Sequence, residues 1–379
     1  MSLICEVGKT QLIKHGEITC GDSVEIVRNE EGTVVVLSDG LGSGVKANIL
    51  SNLTTKIISK MVIHRVPLED IVETIVGTLP VCSVRNVAYS TFSILKIARD
   101  GQVDIIDFDG LPPIKISRGF VDVIERTSRE VAGKKINEAH VQLKEDDFLL
   151  ITSDGVTEAG LGLTLPLGLQ TSGLVKALKE NCRLNTSAQD LVNQVIDICM
   201  SYYINEPGDD TTAVAVHMRH AHECVVMTGV PCNKEDDAQM VEDFLNVKGR
   251  KIICGGTTAQ VFARETNREI EPVNTNSSGP IPPISKIKGV ELVTEGIITM
   301  DQVTKLIEAN DLEEKEEQNG ATMLLDQLLY ADKITIFFGT QLNTAYEKIK
   351  PGIHLRDVLI DKLTTQLKTL GKDVTVYRY

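Results

Sequence analysis

The feature that most constrains this chain is a β-branched run ending in an aspartate and a glycine-rich turn. Thr33-Val34-Val35-Val36-Leu37-Ser38 reads as a short buried strand and runs directly into Asp39-Gly40-Leu41-Gly42-Ser43-Gly44. Leu50, Leu53, Ile57 and Met61 then recur at spacings of three and four, which predicts a helix from Ser43 to Ile63 with those residues as its apolar face. A carboxylate at a strand end is held by rigid backbone yet faces the sheet rim. Glycine after Asp39 lets backbone, including a carbonyl, approach a metal without a side-chain clash.

Three other places repeat that context. Asp22 lies in Cys20-Gly21-Asp22-Ser23, between two short predicted strands. Asp154 follows the buried run Asp147–Ser153. Asp209 and Asp210 sit in a Pro-Gly-Asp-Asp turn that opens the strand Thr211–Met218. Several such strand ends, gathered by sheet packing, make an oxygen-rich site for hard divalent cations. A lone Asp-Gly pair means only a turn, and Asp100-Gly101 and Asp109-Gly110 are read that way.

The charge balance fits this reading. The 379 residues carry 53 Asp and Glu against 39 Lys and Arg, a formal charge of −14. That argues against a nucleic-acid binder, which needs clustered cations to neutralise phosphates. No basic-then-apolar leader and no membrane-length apolar run is visible. The eight cysteines (Cys5, Cys20, Cys82, Cys182, Cys199, Cys224, Cys232, Cys254) form no C-x-x-C pair. Most of them read as small buried apolar residues in a reducing cytoplasm, with neither zinc nor a disulfide framework.

Further elements complete the first part. Leu68–Leu79 is an amphipathic helix. Ser90–Ala98 and Val103–Phe108 form a hairpin about Asp100-Gly101, Ile114–Ile124 holds two short strands, and Leu191–Tyr202 is a helix. Beyond about residue 220 strands and helices alternate: Cys224–Met227, Lys234–Val247, Lys251–Cys254, Thr257–Arg264, Ile334–Phe338, Leu355–Leu370 and Val374–Tyr377. That predicts a separate α/β domain with a partly parallel sheet. Asp311–Gly320 is a charge run, read as a solvated loop or helix end, and Thr275–Pro283 a polar loop or lid.

Taken in order, these motifs resemble the signature of metal-dependent protein phosphatases, the PPM superfamily, and its bacterial SpoIIE-like branch in particular. Ser38-Asp39-Gly40-Leu41-Gly42-Ser43-Gly44-Val45-Lys46-Ala47 is similar to D-G-M-G-x-G-x-x-A. Gly21-Asp22-Ser23 resembles G-D-S, and Ser153-Asp154-Gly155-Val156-Thr157-Glu158-Ala159 resembles S-D-G-[IV]-x-[ED]-A. Asp209-Asp210-Thr211-Thr212 resembles D-D-x-[ST], and Phe108–Pro113 a weaker G-x-x-P turn. The resemblance covers residues 1–219 and not 220–379.

It implies an α+β fold: a four-layer αββα sandwich carrying two Mn or Mg ions at one sheet edge, followed by the separate α/β domain. By matched position Asp39 would bridge both ions and the Gly40 carbonyl would bind one. Asp22, Asp154 and Asp209 would complete the ligands. Asp210 would stand beside them, with a one-residue ambiguity between it and Asp209. Asp39 and Asp154 would be the central catalytic carboxylates. The implied activity is hydrolysis of phosphoserine or phosphothreonine in a protein substrate, a metal-activated hydroxide attacking phosphorus directly. Phosphorylated protein is the expected partner, with no nucleic acid and no membrane; a homodimer or a regulatory partner stays open. The helix after the metal loop is either a switch that completes the site or a plain core helix.

The chain departs from the eukaryotic 2C-type branch. Leu41 stands where that branch has a histidine, and no arginine matches its phosphate-holding residue before Asp22. The SpoIIE-like branch shares both absences. His15 and His64 are proton-donor candidates by sequence proximity alone. A catalytically weak sensor or scaffold on the same fold is the alternative. In the C-terminal domain, Cys254-Gly255-Gly256-Thr257-Thr258 is either a phosphate or nucleotide turn at a helix start or a βα turn with threonine as N-cap. That domain's role is read as regulatory sensing, by binding a nucleotide, an anion or a protein partner.

Overall fold

The computed structural model describes residues 3–29, 31–78, 90–181, 187–273, 284–310, 319–341 and 355–379. The chain divides into two compact units, Met1–His220 and Ala221–Tyr379. Among the described residues, no helix is long and apolar enough to cross a membrane.

The first unit is built from two antiparallel sheets. One holds β1 (Leu3–Leu12), β6 (Ile114–Ser117), β7 (Phe120–Val123), β10 (Phe148–Thr152) and β11 (Thr211–His220), in the order β1-β11-β10-β6-β7. The other holds β2 (Asp22–Arg28), β3 (Gly32–Gly40), β4 (Ser90–Ala98), β5 (Gln102–Phe108), β8 (Thr127–Val131) and β9 (Lys134–Gln142), in the order β2-β3-β4-β5-β9-β8. Side chains alternate across a strand, and β3 uses both faces. Val35 and Leu37 meet Leu149, Ile151, Val214 and Val216 of the facing sheet. Val34 and Val36 point the other way, toward α1 (Gly44–Ile63) and α2 (Leu68–Thr78). Helices α4 (Gln170–Asn181) and α5 (Ala188–Tyr203) cover the outer face of the five-stranded sheet. The result is the expected αββα stack. Each side chain sealed between its layers, such as Val35, Leu95 or Val214, contributes about 1.5–3 kcal/mol.

One expectation is corrected here. The buried side of α1 is not the Leu50–Leu53–Ile57–Met61 stripe. It is Ala47, Ser51, Thr54, Thr55, Ile58, Ser59 and Val62, while Leu53 is 56% exposed. The reason is close approach: small residues let the helix lie against β2 and β3, and the hydroxyls find partners. Ser23 Oγ lies 3.0 Å from Thr55 Oγ1, and Ser51 and Thr54 donate to the carbonyls of Asn48 and Leu50. The α2, hairpin and β11 expectations hold, with Leu79 outside the described residues. Sequence periodicity missed β1, β8, β9 and α4.

His217 of β11 is buried and stacks on Phe148 with ring centroids 3.9 Å apart. Burial lowers its pKa from the usual 6.5, against the opposing pull of Glu6 and Asp146. The unfolded chain therefore takes up this proton first. The stability held by the neutral ring is present above pH about 6.5 and is lost as pH falls below it. In His217→Phe the urea midpoint should drop less between pH about 7.5 and about 5.5 than in the wild type.

The second unit carries a seven-stranded sheet. β12 (Glu223–Thr228), β13 (Arg250–Cys254), β16 (Val290–Thr294), β17 (Lys333–Phe338) and β18 (Asp373–Arg378) run parallel, in the order β16-β13-β12-β17-β18. β15 (Ser285–Ile287) and β14 (Glu271–Pro272) add an antiparallel edge. α6 (Asp237–Asn246) and α7 (Gly256–Thr266) cover one face. α8 (Ile297–Glu308), α9 (Gly320–Tyr330) and α10 (Leu355–Thr369) cover the other. Threonine is not the N-cap of α7: Gly255 occupies that position, and Thr258 Oγ1 donates to the Gly229 carbonyl instead, at 3.0 Å. The loop expected at Thr275–Pro283 lies outside the described residues. So does 311–318 of the charge run, after which Asn319 caps α9. Cys199, Cys224 and Cys254 are buried, Cys5 and Cys20 half-buried and Cys232 exposed, all free thiols.

Candidate metal centre

The strand register brings the first two carboxylates together. β2 pairs with β3 so that Asp22 stands directly opposite Asp39. The facing sheet supplies the other two. Asp154 opens the single turn α3 (Asp154–Thr157) just past β10, and Asp209 lies just before β11. The β10 and β11 ends are laced together: Ser153 N donates to the Thr212 carbonyl at 3.0 Å, and Thr212 N donates to Ser153 Oγ at 2.9 Å. Across the gap between the sheets, Thr212 Oγ1 donates to Asp22 Oδ2 at 2.5 Å.

Two glycines are dictated by crowding here. A Cβ on Gly40 would stand 2.1 Å from the Ala47 carbonyl oxygen, so the first turn of α1 can seat only against glycine. A Cβ on Gly155 would stand 2.1 Å from the Asp210 carbonyl oxygen, where the two motifs of the five-stranded sheet meet.

The electrostatics are those of a cluster short of positive charge. Burial, then Asp22 and Asp154, push the Asp39 carboxyl up to about 10, and it is hydrogen-bonded to Asp154. Asp22 rises to about 6, through burial first and then Asp154 and Asp210, against the pull of Thr212 and Ser153. Asp154 is exposed at the rim, but its inward carboxyl is also raised, by desolvation and then by Asp209. Asp22 Oδ1 and Asp210 Oδ2 are buried and accept no hydrogen bond. A cavity of about 60 Å³ touches Asp39, Asp154, Ser93 and Asp109, room for about two waters.

Among the described residues, no three His, Cys, Asp or Glu side chains are already drawn into an ion-coordinating arrangement. The donor set nevertheless fits a hard divalent cation: buried carboxylate oxygens, of which Asp22 Oδ1 accepts no hydrogen bond. A divalent cation held by these residues would supply the positive charge that the crowded carboxylates lack.

The remaining candidates sort by position. Asp210 is buried beside Asp22: its Oδ1 accepts the Lys14 amide at 3.1 Å, and its Oδ2 lies 2.8 Å from where a Cβ on Gly21 would be. Asp209 Oδ1 accepts the Asp210 amide at 3.0 Å and lies 3.5 Å from Lys14 Nζ. His15 is exposed on the neighbouring loop, its amide bonded to the Pro207 carbonyl. His64 caps the far end of α1, about 30 Å along the helix from Gly44, and the fold does not bring it to the site.

Lys14 escaped the motif reading, and three residues inside the motifs were given no role there. Thr212 clamps Asp22, and Lys14 supplies the nearby ammonium. Asp109 lines the cavity rather than marking a turn alone. The carboxyl of Glu158 is raised by burial, Asp154 and Asp209. Its place as the acidic residue of the Ser153–Ala159 element, one helical turn after Asp154, was the available signal.

The SpoIIE family, described as stage II sporulation protein E, matches residues 29–219. The chain belongs to the SpoIIE family. Stage II sporulation protein E of Bacillus subtilis (strain 168) is 25% identical over 220 residues, which are 56% of this chain and 26% of that protein. The chain thus spans about a quarter of the length of that SpoIIE relative. The solved PP2C phosphatase domain of B. subtilis SpoIIE, with a fragment of its regulatory domain, superposes with a TM-score of 0.50 at 21% identity, over 58% of this chain and 64% of that one. A second crystal form of that phosphatase domain, without domain swapping, gives 0.46 at 19% identity, over 58% of this chain and 94% of that one. The first unit therefore has the PP2C-type fold of SpoIIE, and the family match stops at residue 219.

Proposed function

We propose that the first unit is a metal-dependent phosphoserine/phosphothreonine protein phosphatase of bacterial signalling. The observation that carries this reading is the meeting of Asp22 and Asp39 from one sheet with Asp154 and Asp209 from the other at a single edge. Asp22, Asp39, Asp154 and Asp209, with the Gly40 carbonyl, would hold two Mn or Mg ions. Bound there, the ions supply Lewis acidity to the phosphoryl oxygens and lower the pKa of water. Thr212 and Ser153 orient Asp22, and Asp210 anchors the loop that carries Lys14. Lys14 presents an ammonium beside Asp209, where a phosphoester dianion would enter. The second unit has the regulatory or ligand-sensing role, and a cytoplasmic location goes with this reading.

The test is hydrolysis of p-nitrophenyl phosphate and of a phosphoserine peptide with manganese, after chelation, and after manganese is restored. Activity should vanish on chelation and return with the metal. Asp154→Asn should lower it by about a hundredfold or more. Full activity in chelator, or in Asp154→Asn, would overturn the reading.

A further inference from the structure

Between α3 and α4 the chain makes a short loop, Gly160–Gly168, in which leucine takes every second position from Leu161 to Leu167 and no residue is charged. Leu165 turns inward against the core that α4 and α5 cover, and Leu169 is buried just beyond the loop. The other three turn out: Leu161 is 48%, Leu163 68% and Leu167 71% exposed. Single apolar side chains on a surface are ordinary, whereas a cluster of large ones marks an interaction site.

The loop has a fixed shape and a fixed place. Gly160, Gly162 and Gly168 have φ of 77°, 69° and 73°, the left-handed region that glycine enters without steric cost. A Cβ on Gly168 would stand 2.6 Å from the Thr157 carbonyl oxygen, so the end of the loop closes against the helical turn that begins with Asp154. The Leu169 amide then bonds to the Ala159 carbonyl at 3.0 Å. Thr164 Oγ1 donates to the Tyr202 carbonyl at 2.9 Å, which ties the middle of the loop to the end of α5. Ile204, 63% exposed, follows there, and the chain runs on to Asp209. The apolar loop thus hangs on the two segments that deliver Asp154 and Asp209. Leu163 stands no more than about 18 Å of extended chain from Glu158.

We propose that this loop is a docking surface for the phosphoprotein substrate, and that it selects phosphoserine or phosphothreonine flanked within about five residues by leucine, isoleucine or valine. The inference rests on the phosphatase reading. A protein chain laid across the carboxylate edge carries its neighbouring residues over the segments that hold the loop. Leu161, Leu163 and Leu167 offer those residues an apolar surface whose backbone is already ordered, so little freedom is lost on docking. An uncharged loop discriminates by apolar contact, and charged flanks gain nothing from it.

The full chain is assayed with manganese on p-nitrophenyl phosphate and on two phosphoserine peptides of equal length. One peptide has leucine and valine on both sides of the phosphoserine, and the other has serine in those places. The apolar peptide should show about tenfold higher kcat/KM, through a lower KM. In the double variant Leu163→Ser, Leu167→Ser, the ratio of kcat/KM for the apolar peptide to that for p-nitrophenyl phosphate should fall about tenfold. Its melting temperature should match the wild type, because both side chains are exposed. Equal kcat/KM for the two peptides, or an unchanged ratio in the variant, overturns the proposal and leaves the phosphatase reading standing. No hydrolysis of p-nitrophenyl phosphate by the wild type overturns that reading, and the proposal falls with it. A wild-type dimer in sedimentation that the double variant converts to monomer assigns the patch to a second copy of this chain and also overturns the proposal.

Discussion

Asp39→Asn is expected to lower manganese-dependent phosphoester hydrolysis by about a thousandfold or more while leaving the protein folded. Asp39 faces Asp22 across β2 and β3 and bonds to Asp154 of the other sheet. Asparagine keeps that shape but removes an anionic oxygen from the group that would hold the metals. The sign of the stability change is a separate check. With no metal, the folded chain holds Asp39 protonated up to about 10, whereas the unfolded chain ionises it near 3.8. The stability available from the protonated form is therefore full below pH about 4 and is lost as pH rises toward 10. Asparagine does not titrate, so metal-free Asp39→Asn should melt at or above the wild-type temperature at pH about 8. Manganese should raise the melting temperature of the wild type and shift that of the variant far less. A variant that binds manganese and turns over like the wild type would remove Asp39 from the metal site.

Arg126→Ala should destabilise the first unit strongly. Asp107 is 1% exposed, and Arg126 Nη1 lies 2.6 Å from its Oδ2. The same nitrogen donates to the Gly110 carbonyl at 3.0 Å, and Asn137 donates to Asp107 Oδ1 at 3.0 Å. Burial raises the Asp107 pKa despite these partners. Removing the guanidinium leaves a buried carboxylate with only the Asn137 amide and the Gly110 N–H, a loss of about 3 kcal/mol. For a unit of this size that is roughly 6–12 °C of melting temperature. Protonation of Asp107 limits the loss, so Asp107→Asn combined with Arg126→Met should recover much of it. The Asp109-Gly110 turn borders the cavity beside Asp39 and Asp154, so the single variant should also weaken catalysis. An unchanged melting temperature in Arg126→Ala would show that the pair contributes nothing.

Much of the first unit was legible in local pattern. β3 is readable because both of its faces are buried, which forces an unbroken β-branched run. The β4–β5 hairpin is readable because Gly101 takes a positive φ that its turn requires. The α1 face was misread because periodicity assumes that large apolar residues point inward. Here Ala47, Ser51 and Thr55 face the sheet, since only small side chains permit the approach that Ser23 and Gly40 demand. In the second unit the alternation of strand and helix was visible. The order β16-β13-β12-β17-β18 was not, because strand order is set by which helices cover which face.

The sequence alone determined which residue types were available for chemistry and the order in which they arrive: Asp22, Asp39, Asp154 and Asp209-Asp210, each at a strand end or beside a glycine turn. It could do so because turn glycines and buried strands leave local marks. Tertiary structure alone decided that Asp22 opposes Asp39, that Thr212 reaches across to Asp22, and that Lys14, Asp109 and Glu158 share their neighbourhood. Those facts depend on antiparallel register and on the packing of one sheet against another. The packing contact of Thr212 with Asp22 joins residues 190 positions apart, a separation over which no periodicity in the chain carries information.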